Sequence, residues 1–179
     1  MRGPWRQSLL VSAILACATA HAVAQPGQRA VAEAAPQTRP AQLFLGAKIV
    51  KLYAAPLSIS VTAQGAVQAT ARRNGQIDDH ARPIGGVVLT QAEIAILRQA
   101  VFYSQPPKFV SACCIPRHAF VFFDGAGTYL GYLKLCFQCG CAETSNPAAP
   151  PPGLPYLAWN AHAIGQIVRA HNIPITFSN

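Results

Sequence analysis

The strongest constraint on this chain lies between His118 and Phe137, where two runs rich in Val, Phe, Tyr and Leu flank Gly125-Ala126-Gly127. Runs of this kind read as β-strands, and a short glycine-bearing loop between them makes an antiparallel hairpin. A two-residue turn sets Asp124 opposite Gly127, whereas a three-residue loop with Gly127 left-handed sets Asp124 opposite Thr128. The second register gathers Ala119, Val121 and Phe123 with Tyr129, Gly131, Leu133, Leu135 and Phe137 on one apolar face. It sends His118, Asp124 and Lys134 to the other face. One clean apolar face specifies a register strongly, so the three-residue loop is expected.

Both ends of this hairpin carry cysteines: Cys113-Cys114 before it, and Cys136, Cys139 and Cys141 after it. Extended past the strand start, the expected register sets Cys113 opposite Cys139 and puts Cys114, His118 and Cys136 on one side. Pro116 interrupts the ladder hydrogen bonding, so the prediction is proximity at one hairpin end. The preferred reading is structural, with a bridge from Cys113 or Cys114 to Cys136 or Cys139. Cys141 is the thiol expected to be left over. A metal centre is the first alternative: Cys114, His118, Cys136 and Cys139 offer three thiolates and an imidazole, a set suited to zinc or Cu(I). The other alternative is a redox pair at Cys136-x2-Cys139, with Arg117 or His118 supporting a thiolate from across the hairpin.

The run Cys114-Ile-Pro-Arg-His118, then a hairpin, then Cys136-Phe-Gln-Cys139, resembles a C-x-P-R-H … C-F-x-C pattern in small exported bacterial proteins of unassigned function. The resemblance implies that Cys114, Arg117, His118, Cys136 and Cys139 form the shared constellation, with Cys113 and Cys141 as additions. It implies a residue set and no reaction.

The N-terminus reads as an export signal over residues 1–24. Arg2 and Arg6 precede the apolar run SLLVSAILACATA, and Ala22-Val23-Ala24 suits signal peptidase. Ile14-Leu15-Ala16-Cys17 also fits a permissive lipobox, so lipidation at Cys17 is the alternative. Residues 25–42, rich in Ala, Pro and Gln, read as a disordered tether, and 43–179 as one domain. An exported chain meets oxidising conditions, which is why disulfides are preferred over metal. Five of the six cysteines follow Ala24, so at least one thiol has no partner within the chain.

Removing Arg2 and Arg6 from the 14 basic residues leaves 12 against 6 acidic, a net charge of +6. The basic residues form no stripe and do not alternate with aromatics, which excludes a nucleic-acid-binding role. The expected partner is an envelope protein or an anionic envelope surface, in the periplasm or outside the cell. No later segment reads as a membrane span.

The rest of the map is an α+β plan, a mainly antiparallel sheet with two helices on one face. Residues 47–53 and 57–63 read as strands separated by Pro56, 66–71 as a sheet extension, and Asn74-Gly75 as a turn signal. Thr90-Gln-Ala-Glu93 is a capping box that starts a helix over 91–102, with Ile94, Leu97 and Val101 on its buried face. A Pro-rich loop over 145–155 precedes a final helix over 156–171, where Leu157, Ala161, Ile164, Val168 and His171 trace one stripe. Asn172 and Pro174 end it. Asp78-Asp79-His80 reads as a solvated turn, and His162 and His171 do not share a ligand face. No phosphate loop or nucleophile elbow is present, so a non-enzymatic role is expected.

Overall fold

The computed structural model describes residues 38–177 apart from 70–71, 74–75, 78–81, 109–112 and 147, with side chains over 69–85 also outside the description. The expected signal over 1–24, Cys17, most of the tether and Asp78-Asp79-His80 lie outside the described residues.

Among the described residues, twelve strands and two helices follow in order. They are β1 (Thr38–Pro40), β2 (Ile49–Ala54), β3 (Ile59–Val61), β4 (Val67–Ala69), β5 (Arg72–Arg73), β6 (Gln76–Ile77), β7 (Arg82–Val88) and α1 (Gln91–Ala100). Then come β8 (Val101–Ser104), β9 (His118–Phe123), β10 (Tyr129–Cys136), β11 (Cys141–Thr144), β12 (Tyr156–Trp159) and α2 (Ala161–Ala170). All pairings are antiparallel. The main sheet has the order β11-β10-β9-β2-β7, and a three-stranded sheet has the order β1-β8-β12. Two ribbons, β3-β4 and β5-β6, complete an α+β fold. Arg73 pairs with Gln76, which brackets the Asn74-Gly75 turn signal.

Helix α1 starts as its capping box requires: Thr90 Oγ1 accepts from the Glu93 amide at 3.2 Å, and Glu93 Oε2 accepts from the Thr90 amide at 2.7 Å. It ends at Ala100, one turn's edge short of the expected 102. Val101 turns extended (φ −112°, ψ 128°) and opens the central strand of the second sheet. The β-branched and aromatic run Val101-Phe102-Tyr103 gains ladder hydrogen bonds on both sides there, which outweighs one more helical turn. The same sheet corrects two further expectations. Thr38–Pro40, assigned by composition to the tether, forms its edge strand. Residues 156–159, assigned to the last helix, form β12, and α2 begins only after Asn160, whose side chain accepts from the Ala163 amide at 3.1 Å. Leu157 is therefore a strand residue, while Ile164 and Val168 are buried as expected. Asn172, at φ 57°, closes the helix.

The two helices cover one face of the main sheet, and Ile94, Leu97, Ile164 and Val168 share a core with Val50, Leu52, Phe120, Phe122, Leu133 and Leu135. His171 Nε2 and Glu93 Oε1, 2.8 Å apart, join the end of α2 to the start of α1. Arg98 reaches from α1 to the carbonyls of Phe44, Leu45 and Ala47, with its Nη2 donating at 3.1, 3.3 and 3.0 Å.

The hairpin loop has the expected form. The Asp124 amide donates to the Thr128 carbonyl at 3.0 Å, Gly127 sits at φ 83°, and Asp124 Oδ1 accepts from the Ala126 and Thr128 amides, each at 2.8 Å. Beyond it the expected register fails after one pair. Tyr129 opposes Phe123, but Gly131 then opposes Phe122, so Leu130 is an extra residue. The slip exchanges partners: Phe120 faces Leu133, His118 faces Leu135, and Lys134 faces Ala119. The expected polar face thus holds the core residues Phe120 and Phe122, and His118 points inward with them. Its opposite face is buried too, because Ala119 packs against Ala55 and Ile59 of the β3 region.

Gly131 makes the bulge work. Its φ is 153°, and a Cβ there would overlap the Phe44 ring and fall 2.6 Å from Ser145 Oγ. Substituting Gly131→Ala is expected to destabilise the fold by about 2 to 3 kcal/mol in urea unfolding, because both the ring and the backbone must move. A change below about 0.5 kcal/mol would show that the bulge relaxes freely.

Candidate functional site

The two cysteine clusters meet at the open end of the hairpin. Residues 113–117 run alongside the main sheet into β9: the Arg117 amide donates to the Leu135 carbonyl at 3.1 Å, and the Ile59 amide donates to the Pro116 carbonyl at 3.0 Å. On the other side, β10 ends at Cys136 and a tight turn leads into β11. The Gly140 amide closes this turn on the Cys136 carbonyl at 2.9 Å, with Gly140 at φ 69°. Cys136 and Cys141 are direct cross-strand partners. Sequence reasoning missed this second hairpin, although Gly140 between two β-capable runs is the turn signal that marks it.

Cys114 and Cys141 form a disulfide. This corrects two expectations, that Cys136 or Cys139 would take the bridge and that Cys141 would be left over. The reason lies in β11, which returns Cys141 along β10 to the side facing Cys114. Cys113 and Cys139 meet as expected, with their sulfurs 3.3 Å apart. Cys113 is exposed and Cys139 half-buried. Cys136 is buried and accepts a 3.1 Å hydrogen bond at its sulfur from the Cys139 amide.

Glu143, which sequence reasoning passed over, borders the cluster. It lies opposite Lys134 on the neighbouring strand and binds it at 2.6 Å, with its other oxygen 3.8 Å from the Cys114 sulfur. Alternation along β11 is the signal that would have paired it with Lys134.

His118 is fully buried. Its Nε2 lies 2.8 Å from the Pro174 carbonyl, so this nitrogen carries the proton and Nδ1 keeps a bare lone pair. Nδ1 has no hydrogen-bond partner among the described residues. The ring sits edge-on to Phe137 (centroids 4.9 Å) and against Phe177 (5.7 Å). Burial pushes its pKa down to about 4; the Pro174 carbonyl opposes this and the Arg117 charge adds to it. Arg117 itself donates from Nη1 to the Phe177 carbonyl at 3.4 Å. Together these two side chains fasten the C-terminal segment to the start of β9.

The four residues expected as metal ligands are dispersed in role. Cys114 is in the bridge, His118 faces Pro174, and Cys136 and Cys139 remain as thiols. Among the described residues no group of three or more His, Cys, Asp or Glu side chains is arranged to hold a metal ion. Among those residues, too, no helix is long and apolar enough to cross a membrane. Comparison with protein-family profiles, curated proteins and solved structures found no match.

Proposed function

We propose that this chain is a non-enzymatic binding module that works outside the cytoplasm, in the bacterial envelope, and offers its cysteine-held hairpin end to a partner. The observation that carries this reading is the Cys114–Cys141 bridge, since disulfides persist in oxidising compartments. The apolar run and the small-residue site over 1–24 support the same location.

The bridge also shapes a surface. It holds residues 113–117 at Cys114, while Pro116 and Arg117 are held by hydrogen bonds to Ile59 and Leu135. Between these anchors Ile115 is 47% exposed. A restrained loop that presents an apolar side chain loses little conformational freedom on docking. The partner is an envelope protein that covers Ile115, and the net basic charge favours acidic neighbours around it.

The test is to produce the chain with its own N-terminus in a bacterial host and to combine fractionation with native mass spectrometry and non-reducing peptide mapping. The expected product is found in the envelope fraction with Cys114 bridged to Cys141 and no metal. Retention in the cytoplasm, or zinc or copper bound to reduced thiols, would overturn the reading. For the surface, Ile115→Asp should cut cross-linking to the partner in intact cells at least about fivefold without moving the melting midpoint. Equal cross-linking would exclude this loop as the docking surface.

A further inference from the structure

We infer that Cys113 and Cys139 form a thiol–disulfide exchange pair, separate from the Cys114–Cys141 bridge beside it. Their sulfurs are in contact at 3.3 Å, so a small side-chain movement closes a bond between them. Exposure of Cys113 and partial exposure of Cys139 give a reacting molecule access. Cys136 differs: it is buried, and the Cys139 amide already donates to its sulfur. The accessible pair is therefore Cys113 with Cys139, not the Cys136-x2-Cys139 pair that the sequence motif indicates.

The neighbouring bridge explains why this pair should be reversible. Cys114 directly follows Cys113, and Cys141 lies just beyond Cys139, so the existing disulfide already joins the same two segments. A second link between segments already joined closes only a small ring. It removes little further entropy from the unfolded chain and so adds little stability. An accessible bridge that the fold does not depend on is the kind that opens and closes by exchange. The scaffold is held in both states, because Cys114–Cys141 and the β10-β11 ladder remain.

The chemistry requires a partner carrying a disulfide, a protein or peptide of the same oxidising compartment. The Cys113 thiolate attacks one partner sulfur, forming a mixed disulfide and expelling the other partner sulfur as a thiolate. The Cys139 thiolate then attacks the Cys113 sulfur, closing Cys113–Cys139 and expelling the second partner thiolate. Two electrons pass from the chain to the partner, and the protons lost by Cys113 and Cys139 are recovered by the two partner thiolates. Run backwards, the closed pair oxidises a partner dithiol. This gives the docking end a redox activity in place of a purely non-enzymatic role, and it rests on the binding reading only for the oxidising compartment.

The test equilibrates the exported chain, with Cys114–Cys141 intact, in buffers of graded reduced-to-oxidised glutathione ratio. Samples are quenched with acid, alkylated and mapped by mass spectrometry. Cys113–Cys139 should close and open reversibly while Cys114–Cys141 stays closed, and the melting midpoint should differ by less than about 2 °C between the two states. Cys139→Ser should trap glutathione on Cys113, Cys113→Ser should abolish closure, and Cys136→Ser should leave it unchanged. Opening of both bridges in one step, a larger midpoint shift, or a Cys136–Cys139 bridge would overturn the proposal. So would thiols that stay reduced throughout, an outcome that leaves the binding reading standing. Absence of Cys114–Cys141 at the outset would overturn both readings, because the small added ring and the held scaffold depend on that bridge.

Discussion

Replacing Cys114 and Cys141 together by serine is expected to cost about 3.5 kcal/mol of folding stability, the chain-entropy value for a bridge spanning 27 residues. The melting midpoint should fall by roughly 10 °C. The bridge constrains the unfolded chain by tying the segment before β9 to β11, two stretches that otherwise meet only through the folded sheet. Without it, β11 stays at the sheet edge through its ladder to β10 and its packing beside the core. Urea unfolding of the wild type and the double variant measures the difference. The Cys113→Ser/Cys139→Ser pair serves as the control and should change stability by less than about 1 kcal/mol, because those sulfurs sit beside a link already made. A loss below about 1 kcal/mol in the first variant would mean that the unfolded chain is already constrained there.

Acidification should weaken the fold through His118. In the unfolded chain this ring titrates near 6.5, whereas burial lowers it to about 4 in the native state. Between these values the unfolded chain binds a proton that the folded chain does not. Stability is therefore complete above pH 6.5 and declines as the pH falls towards 4, by about 3 kcal/mol in total. Arg117, beside the ring, opposes its protonation in the folded state. Glu93 acts lower in the range. Burial alone would raise its carboxyl, but hydrogen bonds from Thr90 and the interaction with His171 hold it below the usual carboxylate value, so its contribution is lost as the pH falls through that lowered value. Comparing wild type with His118→Gln isolates the imidazole, since Glu93 is common to both. The slope of stability against pH between 6.5 and 4.5 should flatten in the variant. Identical slopes would show that His118 is not the group responsible. Protonation should also loosen residues 174–177, because the ring that holds Pro174 could no longer stay buried, and loss of the NMR contact between the His118 and Phe177 rings would report it.

Much of the fold was legible wherever a short-range interaction decides the outcome. Thr90 and Glu93 are three residues apart, and their reciprocal bonds form in the helix whatever surrounds it. Gly127 supplies a left-handed residue after Asp124, and the three-residue loop follows. The meeting of the two cysteine clusters was legible as well, because a hairpin brings residues 113–114 and 136–141 to one end in either register. Where distant partners compete, reading along the chain was misled. Val101 and Leu157 fit helical stripes, yet both gain more by pairing across β8 and β12, a contact between segments far apart in sequence. The Leu130 bulge depends on the Phe44 ring lying over Gly131, and Phe44 is remote from the hairpin. One extra residue then moved His118 from the expected polar face into the core.

The sequence by itself determined that this chain makes an α+β fold around a hairpin with cysteines gathered at its open end. Strand propensity, turn residues and capping are local properties, and they act through neighbours a few positions apart. Only the tertiary structure decided which sulfurs pair and which way His118 faces. Both depend on strand register, which the hairpin loop sets for one residue pair and the packing of Phe44, β11 and the C-terminal segment sets for the rest. A slip of one residue reverses every side chain beyond it and so turns His118 inward, while the return of β11 beside β10 brings Cys141, rather than Cys136 or Cys139, to Cys114.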